Sequence, residues 1–406
     1  MSRFLFVVPP LTGHVNPTVA VGRELGRRGH RVAWAGHPEA VAALLPAGCR
    51  LLPAGAELSA TSLAEMRARW LGLRGFAALK SLWTDVLLPL GRAMRDGVEA
   101  AIDSVEPDVV VADQQAIAGG AAAWRRGLPW ATSATTFSEL ARPYAGMPAV
   151  EAWVAQQLGE FARSGGVSAA EASRGDLRFS EHLLLVFTTP ELAGPVEVPC
   201  SPVFVGPAIG ERPAEPDFPW DRLDGGPAGV RRSRVLVSLG THSGGAGERF
   251  YRVLLEAVAG REASLQLILV APAAARAALG ALPDHVLGVD RVPQLALLEQ
   301  VDAVVTHGGL GTVSEALMAG RPMVVAPIRD DQPLIAGRIE ALGAGVRVRF
   351  GRVSPGDLSA AIETVLTEPA FAAAARRLGT SLSGAGGATA AADQLEKLVA
   401  NKAAWA

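Results

Sequence analysis

Short apolar runs recur along this chain, and segments with helical spacing separate one run from the next. The runs lie at residues 4–8, 31–35, 109–112, 129–132 and 183–187 in the first half, and at 235–239, 265–270, 303–306, 323–326 and 346–348 in the second. Such runs are typical of strands buried on both faces of a parallel sheet. Their alternation with helices predicts an α/β fold with doubly wound sheets.

A proline-rich stretch divides the chain into two halves. Residues 206–234 contain five prolines and a Gly-Gly pair, and this composition disfavours regular elements. Each half opens with a buried run that leads into a glycine turn. We therefore predict two Rossmann-like domains, residues 1–206 and 234–385, joined by a linker at 207–233 and followed by a helix at 386–406.

Charge and cysteine content disfavour several classes of protein. The formal net charge is −2 and 19% of residues are charged, so a nucleic acid is not expected as a main partner. No apolar run approaches the roughly 18 residues of a membrane-spanning helix, and the apolar N-terminus is interpreted as a strand rather than a signal peptide. Two distant cysteines do not indicate a metal cluster, and a cytoplasmic location is expected.

The segment 301–317 combines a short apolar strand, a glycine-rich turn and a helix that is predicted to begin at Thr312. The turn contains His307, Gly308, Gly309 and Gly311. A helix N-terminus presents backbone N–H groups and a positive dipole end to a phosphate. Because a phosphate repels a carboxylate, Glu315 is assigned to another group, such as ribose hydroxyls. The segment predicts a site for a nucleoside diphosphate.

His14 and Asp113 each follow a predicted strand, at the sheet edge where open α/β proteins bind ligands. His14 is expected in a turn before Asn16, which can cap the next helix, and Pro17, which suits its first position. An imidazole there can act as a base, and Asp113 can orient it. The alternatives are a histidine that only caps the turn and an aspartate that caps the helix near Ala116.

Three further predicted turns carry weaker signals. Thr241 lies in a glycine-rich turn, where a hydroxyl can approach a phosphate. Arg291 can stack on a nucleobase and the backbone of Val292 can read its edge, with an ordinary surface loop as the alternative. Asp331 and Gln332 can bind sugar hydroxyls or form a solvated helix N-terminus. No histidine or third carboxylate near them in sequence supports a metal site.

Aromatic side chains in the first half are candidates for an acceptor pocket. Trp70, Phe76 and Trp83 lie in a segment with helical spacing, and Phe137 follows a predicted strand. Aromatic stripes are at least as often part of the core, so both interpretations stay open. The first βα turn lacks GxGxxG, which disfavours a dinucleotide-dependent oxidoreductase.

Together these residues resemble the nucleotide-sugar glycosyltransferases of family 1, especially the bacterial members that modify natural products. The matching segments are Gly13-His14-x-x-Pro17, Gly29-His30-x-Val32, Arg291-Val-Pro-Gln, His307-Gly-Gly-Leu-Gly-Thr with Glu315, and Asp331-Gln332. Their order and approximate spacing are similar to those of the family, and the resemblance covers nearly the whole chain.

The resemblance implies a GT-B fold, in which two Rossmann-like domains face each other across a cleft and the C-terminal helix crosses back onto the first domain. The first domain would bind the acceptor, with His14 as the base and Asp113 as its partner. The second would bind the nucleotide sugar. The implied donor-site residues are Thr241, His307 and Thr312 for the diphosphate, Glu315 for the ribose, Arg291, Val292 and Gln294 for the base and ribose, and Asp331 and Gln332 for the sugar.

Three positions depart from the family pattern. Arg291 stands where many relatives have Trp, Gly311 where plant members have Asn, and Ile335 where bacterial relatives commonly have Asn. The first departure weakens the argument for base stacking, the second removes one possible phosphate contact, and the third leaves that part of the site unassigned.

The implied activity is transfer, with inversion and without a metal ion, from a UDP- or dTDP-sugar to a hydroxyl or similar nucleophile of an apolar natural product. No cofactor beyond the nucleotide-sugar co-substrate is expected, and the chain is expected to be a monomer or homodimer. The alternatives are a nucleotide-sugar 2-epimerase of the same fold and a non-catalytic helper that activates a partner transferase. A His14–Asp113 pair facing an apolar pocket argues against the epimerase, and the combination of His14, Asp113 and His307 argues against the helper.

Overall fold

The computed structural model describes residues 1–71, 73, 75–136, 138–141, 146–172, 175–198, 200–210, 216–223, 231–240 and 247–401, with only the backbone described at 60, 67–71, 138 and 171. Within these residues the chain forms a seven-stranded and a six-stranded parallel sheet with helices, which confirms the predicted α/β class. Contacts divide it into two compact units. Unit 1 comprises Met1–Pro190, Pro195–Pro213 and Ala385–Ala406, and unit 2 comprises Glu191–Gly194 and Ala214–Gly384.

Unit 1 contains the seven-stranded sheet. Its strands are β1 (Arg3–Val7), β2 (Arg31–Gly36), β3 (Arg50–Pro53), β4 (Val109–Asp113), β5 (Trp130–Ala134), β6 (Leu183–Val186) and β7 (Pro202–Phe204), in the spatial order β3-β2-β1-β4-β5-β6-β7. The helices between them are α1 (Thr12–Arg27), α2 (Ala60–Leu71), α3 (Gly75–Ser81), α4 (Leu88–Val105), α5 (Ile117–Arg125), α6 (Pro148–Ser164) and α7 (Ala169–Ala172), with a π-helical turn at Leu82–Leu87. The short helix α8 (Pro190–Ala193) follows β6 in the chain, but its residues from Glu191 onward belong to unit 2.

Unit 2 contains the six-stranded sheet. Its strands are β8 (Ser233–Ser238), β9 (Leu265–Val270), β10 (Val286–Val289), β11 (Ala303–Thr306), β12 (Met323–Val325) and β13 (Gly345–Arg347), in the order β10-β9-β8-β11-β12-β13. Its helices are α9 (Gly247–Val258), α10 (Ala273–Ala278), α11 (Gln294–Leu298), α12 (Leu310–Met318), α13 (Gln332–Ala341), α14 (Pro355–Thr367) and α15 (Pro369–Gly384).

Burial on both faces explains the continuous apolar strands. In β1, Leu5 and Val7 face one core while Phe4 and Phe6 face the other, and all four are at most 1% exposed. Successive side chains of a strand point to opposite faces, so apolar side chains predominate on both faces, although β5 also buries Thr132 and Ser133 and β9 buries Gln266. The candidates His14, Asp113 and His307 lie where the strands end.

The last helix, α16 (Gly387–Ala400), belongs to unit 1 and packs on α1. Arg28 donates to Asp393 and Glu396, and His30 Nε2 lies 2.8 Å from Glu396 Oε1. The Gly387 N–H donates to the carbonyl of Val205. The chain thus returns to the unit that holds its N-terminus, as the resemblance implies, and residues 402–406 lie outside the described part.

Three strands have no counterpart among the predicted apolar runs. These strands, β3, β7 and β10, each lie at the edge of a sheet. An edge strand has one neighbour instead of two, and every residue of β3 and β7 and half of those of β10 are only partly buried or exposed. Short, partly exposed strands need no continuous apolar run, so the pattern used for prediction does not detect them.

Helix α1 begins at Thr12, earlier than the start at Pro17 that the sequence predicted. Leu11 is extended, and its carbonyl accepts from the N–H groups of His14 and Val15, so the first turn forms upstream and Pro17 lies inside the helix. His14 therefore lies in the first turn of α1 and not in a preceding loop. It still lies at the carboxyl end of β1.

Helix α12 also begins earlier, at Leu310 instead of Thr312. Gly309, in an extended conformation, is its N-cap residue, and this places Thr312 inside the first turn and Glu315 in the second. Among the described residues, no helix has both the length and the apolar character needed to cross a membrane.

Helix α12 packs against α15, and the two backbones come very close together at Gly379. A Cβ built on Gly379 would lie 2.1 Å from the carbonyl oxygen of Leu317. Only glycine allows the two backbones to pack this closely.

Replacing Gly379 with Ala should separate α15 from α12 and lower the free energy of unfolding by about 1–3 kcal/mol. Gly384→Ala in the same helix is the matched control, because a Cβ at that position meets nothing within 4 Å. Urea denaturation of both variants measures the difference. Equal stabilities for the two variants would contradict this account of the α12–α15 contact.

Candidate functional site

His14 and Asp113 meet at the carboxyl edge of the sheet in unit 1, where β1 and its neighbour β4 end. His14 Nδ1 lies 2.9 Å from Asp113 Oδ1. The Asp113 side chain is fully buried, whereas the His14 side chain is 13% exposed. A buried carboxylate thus holds one ring nitrogen of an accessible imidazole.

Asp113 is held by further donors, which define its role. The Gln115 N–H donates to Oδ1 at 2.9 Å, and the Thr135 hydroxyl donates to Oδ2 at 3.0 Å. The residue before α5 is Ala116, and no side chain caps that helix. The helix-capping alternative for Asp113 therefore does not describe the structure, and its carboxylate is shared by a local turn and by His14.

A carboxylate at Nδ1 selects the imidazole tautomer. An ionised carboxylate only accepts hydrogen bonds, so the favourable partner is an Nδ1–H group. The basic lone pair then lies on Nε2. This is the arrangement in which an aspartate orients a histidine that acts as a general base.

The sequence patterns did not single out Thr135 or the amide next to Asp113. Gln114 is 1% exposed, donates to the Thr136 carbonyl at 3.0 Å and accepts from the Thr136 N–H at 3.2 Å. This double hydrogen bond fastens the ends of β4 and β5 together. Only the adjacency of the two strands, which sequence spacing does not show, could have identified the pair.

His307 lies in unit 2, directly after β11, and is packed between two glycines. A Cβ on Gly240 would lie 2.6 Å from His307 Cε1, and one on Gly309 would lie 2.8 Å from Nε2. Gly240 also has a φ of +69°, a conformation that favours glycine. The glycine turns after β8 and β11 therefore form a slot for one imidazole ring.

Burial lowers the pKa of His307 to about 4, and a hydrogen bond to the Ser238 backbone opposes this change in part. The ring is therefore neutral near pH 7. It can offer an N–H group to an anion but does not carry a full positive charge.

Gln294 and Glu315 come together although 21 positions separate them in sequence. The Gln294 amide donates to Glu315 Oε2 at 2.6 Å. Gln294 is the first residue of α11. This bond places the turn that holds Arg291 and Val292 beside α12. Arg291 is exposed, and its guanidinium makes no hydrogen bond within the part of the chain that the structure describes.

Asp331 and Gln332 lie after β12, the neighbour of β11. Asp331 is the N-cap residue of α13 but makes no side-chain capping bond. Gln332 is 6% exposed, and its Oε1 accepts from the N–H groups of Ile328 and Arg329 at 2.9 and 3.0 Å. Its amide oxygen therefore organises the loop, and its amide N–H groups remain the part suited to a ligand. The loop also contains Asp330 in the left-handed region, with φ +55°.

The other predicted residues lie outside the described part of the chain, in the core, or on the surface. Thr241 and Phe137 lie outside the described residues, as does the side chain of Trp70 on α2. Trp83 is 1% exposed and packs in the core of unit 1, which is the alternative that the sequence left open. Phe76 is 56% exposed and contacts Trp153 edge to face, with ring centroids 6.4 Å apart.

The space beside Gly311 is open, since a Cβ built there meets nothing within 4 Å. No group of three or more metal-binding side chains occurs among the described residues.

Comparisons with known proteins agree with this architecture. The family model of the erythromycin biosynthesis protein CIII-like C-terminal domain matches residues 252–398. The chain is 29% identical over 431 residues to 4'-demethylrebeccamycin synthase of Lentzea aerocolonigenes, covering 98% of this chain and 100% of the relative.

Two solved structures match over the full length. The glycotransferase of kitacinnamycin is 30% identical with a TM-score of 0.77, covering 98% of this chain and 99% of the other. Glycosyltransferase VinC in complex with dTDP is 24% identical with a TM-score of 0.73, covering 98% and 100%, and shows the same fold.

Two parallel sheets flanked by helices, matched over nearly the whole chain by a solved glycosyltransferase, identify a GT-B glycosyltransferase that uses a nucleotide sugar. The chain belongs to the family 1 glycosyltransferases of the bacterial natural-product type.

The low pKa of His307 predicts a pH-dependent stability. Between about pH 4 and 6.5 the unfolded chain binds a proton at this residue and the folded chain does not, so stability is full above 6.5 and falls as the pH drops toward 4. We expect a loss on the order of 3 kcal/mol from this group. Urea denaturation of the wild type and of His307→Gln across this range measures it. Parallel curves for the two proteins would contradict the assignment.

Proposed function

We propose that this glycosyltransferase inverts the anomeric centre of a dTDP- or UDP-sugar as it transfers the sugar to a hydroxyl, or similar nucleophile, of an apolar natural product. The observation that carries this proposal is the buried Asp113 carboxylate held 2.9 Å from His14 Nδ1. That contact suits an imidazole whose Nε2 takes a proton from an acceptor.

The proposed reaction is a single displacement. His14 Nε2 accepts the proton of the acceptor O–H, and the oxygen forms a bond to the anomeric carbon. The bond from that carbon to the diphosphate breaks, and its electron pair leaves with the nucleoside diphosphate. Attack from the face opposite to the leaving group inverts the configuration.

The leaving diphosphate needs stabilisation, and we assign this to the start of α12. The first N–H groups of a helix have no partner within the helix and lie at its positive end. The neutral His307 ring lies just before this helix and can add an N–H donor. Preorganised donors of this kind stabilise developing negative charge, so we propose that no metal ion is needed.

The other residues that we assign to the donor follow β10, β11 and β12 at the same edge of the sheet in unit 2. We assign Glu315 and Gln294 to the ribose, Arg291 and Val292 to the base, and Asp331 and Gln332 to the sugar. The hydrogen bond between Gln294 and Glu315 supports the first assignment, and the exposed Arg291 guanidinium supports the second. VinC, a relative in fold, was solved with dTDP.

For the acceptor, the exposed ring of Phe76 and the adjacent Trp153 form an aromatic surface on unit 1. We assign this surface to an apolar acceptor, since aromatic rings contribute large contact areas.

His14→Ala should lower kcat about 100- to 10,000-fold, the usual contribution of a general base. Donor binding should survive, because the assigned donor residues lie in unit 2. Release of nucleoside diphosphate from a panel of nucleotide sugars, with and without an apolar hydroxylated acceptor, measures turnover.

His30→Gln is the matched control for this prediction, because His30 precedes β2 at the opposite edge of the sheet. Turnover of His14→Ala equal to that of the control would remove the base assignment. The same reaction, followed by NMR of the anomeric proton and repeated in EDTA, reads the stereochemical outcome and the need for a metal.

Glu315→Gln should weaken dTDP and UDP binding about tenfold, or about 1.4 kcal/mol, because a neutral amide is a poorer acceptor for ribose hydroxyls. Thermal shifts measure this: ligand at 100 times its Kd adds about 2.7 kcal/mol to the wild type. The exposed Glu340→Gln on α13 is the control. Equal shifts for both variants would exclude Glu315 from the ribose site, and the diphosphate with the larger wild-type shift identifies the base.

A further inference from the structure

Thr135 is a third polar side chain in contact with the His14–Asp113 pair. It follows β5 and is 8% exposed. Its Oγ1 lies 2.7 Å from His14 Nδ1 and 3.0 Å from Asp113 Oδ2. One hydroxyl therefore contacts both members of the pair.

The positions of the protons determine what this hydroxyl does. If Thr135 donated to Nδ1, the ring proton would lie on Nε2, and the Nδ1 lone pair would face Asp113 Oδ1 at 2.9 Å. Two acceptors would then oppose each other. If Thr135 donates to Oδ2 instead, Nδ1–H points to both Asp113 Oδ1 and the Thr135 oxygen, and every donor has an acceptor.

We infer that Thr135 is a positioning residue that acts together with the Asp113 carboxylate to hold His14 in the Nδ1–H tautomer, with Nε2 as the basic atom. This inference rests on the proposed role of His14 as the base. The hydroxyl acts on the orientation of the ring and of the carboxylate and does not itself contact the reacting atoms.

The backbone around Thr135 is fixed, so the hydroxyl is a rigid support. The next residue, Thr136, exchanges two hydrogen bonds with the buried Gln114 amide. These bonds use the Thr136 backbone and leave its side chain uninvolved. Thr136→Val is therefore a matched control, since it removes a neighbouring hydroxyl and preserves the support.

Charged groups nearby make the tautomer a better readout than a pH profile alone. Burial raises the pKa of Glu139, which is also affected by the charge of Asp113, while Arg178 opposes the shift and pairs with Glu139 at 2.7 Å. A change in the pH profile would therefore not separate the imidazole of His14 from the carboxyl group of Glu139. The ring nitrogens of His14 report on the imidazole directly.

The test compares Thr135→Val, which keeps the shape and removes the hydroxyl, with Thr135→Ser, which keeps the hydroxyl. We expect Val to lower kcat about 10- to 100-fold with an unchanged donor KM, and Ser to stay within about threefold of the wild type. In a His14→Ala background, Thr135→Val should have no further effect, because the group that it positions is gone.

Nitrogen NMR of protein labelled with 15N-histidine reads the tautomer. The chain has seven histidines, and the spectrum of His14→Gln identifies the His14 signals by their loss. We expect the Nδ1–H form in the wild type, in Thr135→Ser and in Thr136→Val, and a larger Nε2–H fraction in Thr135→Val. If Thr135→Val does not fold, Thr135→Ala takes its place in both measurements.

The outcomes separate the two proposals. An unchanged tautomer and wild-type kcat in Thr135→Val would overturn the role of Thr135, independently of the activity measured for His14→Ala. Full activity in His14→Ala would overturn the base assignment, while the tautomer measurement would still decide whether Thr135 orients the ring. A loss of kcat in Thr135→Ser equal to that in Thr135→Val would also contradict the inference, because the hydroxyl is then not the group that matters.

Discussion

Coverage of both faces of each parallel sheet is the constraint on which the other features depend. Side chains such as Phe4 and Leu5 point to opposite cores in the same strand, so most side chains along the strands are apolar. Because all strands run the same way, their carboxyl ends meet at one edge. That edge is where polar chemistry is compatible with the fold, and both sets of candidate residues lie there.

In unit 1, the meeting of strand ends at one edge supplies hydrogen-bond donors to the buried Asp113 carboxylate. A carboxylate removed from water is costly unless it is hydrogen-bonded, and Asp113 accepts from Gln115, Thr135 and His14. These donors come from three adjacent strand ends. The arrangement holds the imidazole in the fixed orientation that the proposed base requires. In unit 2, glycines with no side chain leave the space that the buried His307 ring occupies.

Much of the fold could be predicted because apolar runs report burial directly. The runs at 4–8 and 265–270, for example, correspond to strands inside the sheets. The edge strand β13 was also predicted, whereas the short, partly exposed edge strands β3, β7 and β10 were not. Helix starts were less predictable. Local capping residues suggested Pro17 and Thr312, but Leu11 and Gly309 set the N-termini. For the aromatic residues, composition could not distinguish core from surface, and packing separated Trp83 from Phe76.

The sequence by itself determined the α/β class, the carboxyl-edge position of His14, Asp113 and His307, and the resemblance to glycosyltransferases. It could do so because periodicity and motif order are local properties of the chain. Only the tertiary structure decided which polar groups touch. The contacts of Thr135 with His14 and of Gln294 with Glu315 join residues 121 and 21 positions apart, and such contacts depend on strand order and side-chain packing, which no local pattern encodes.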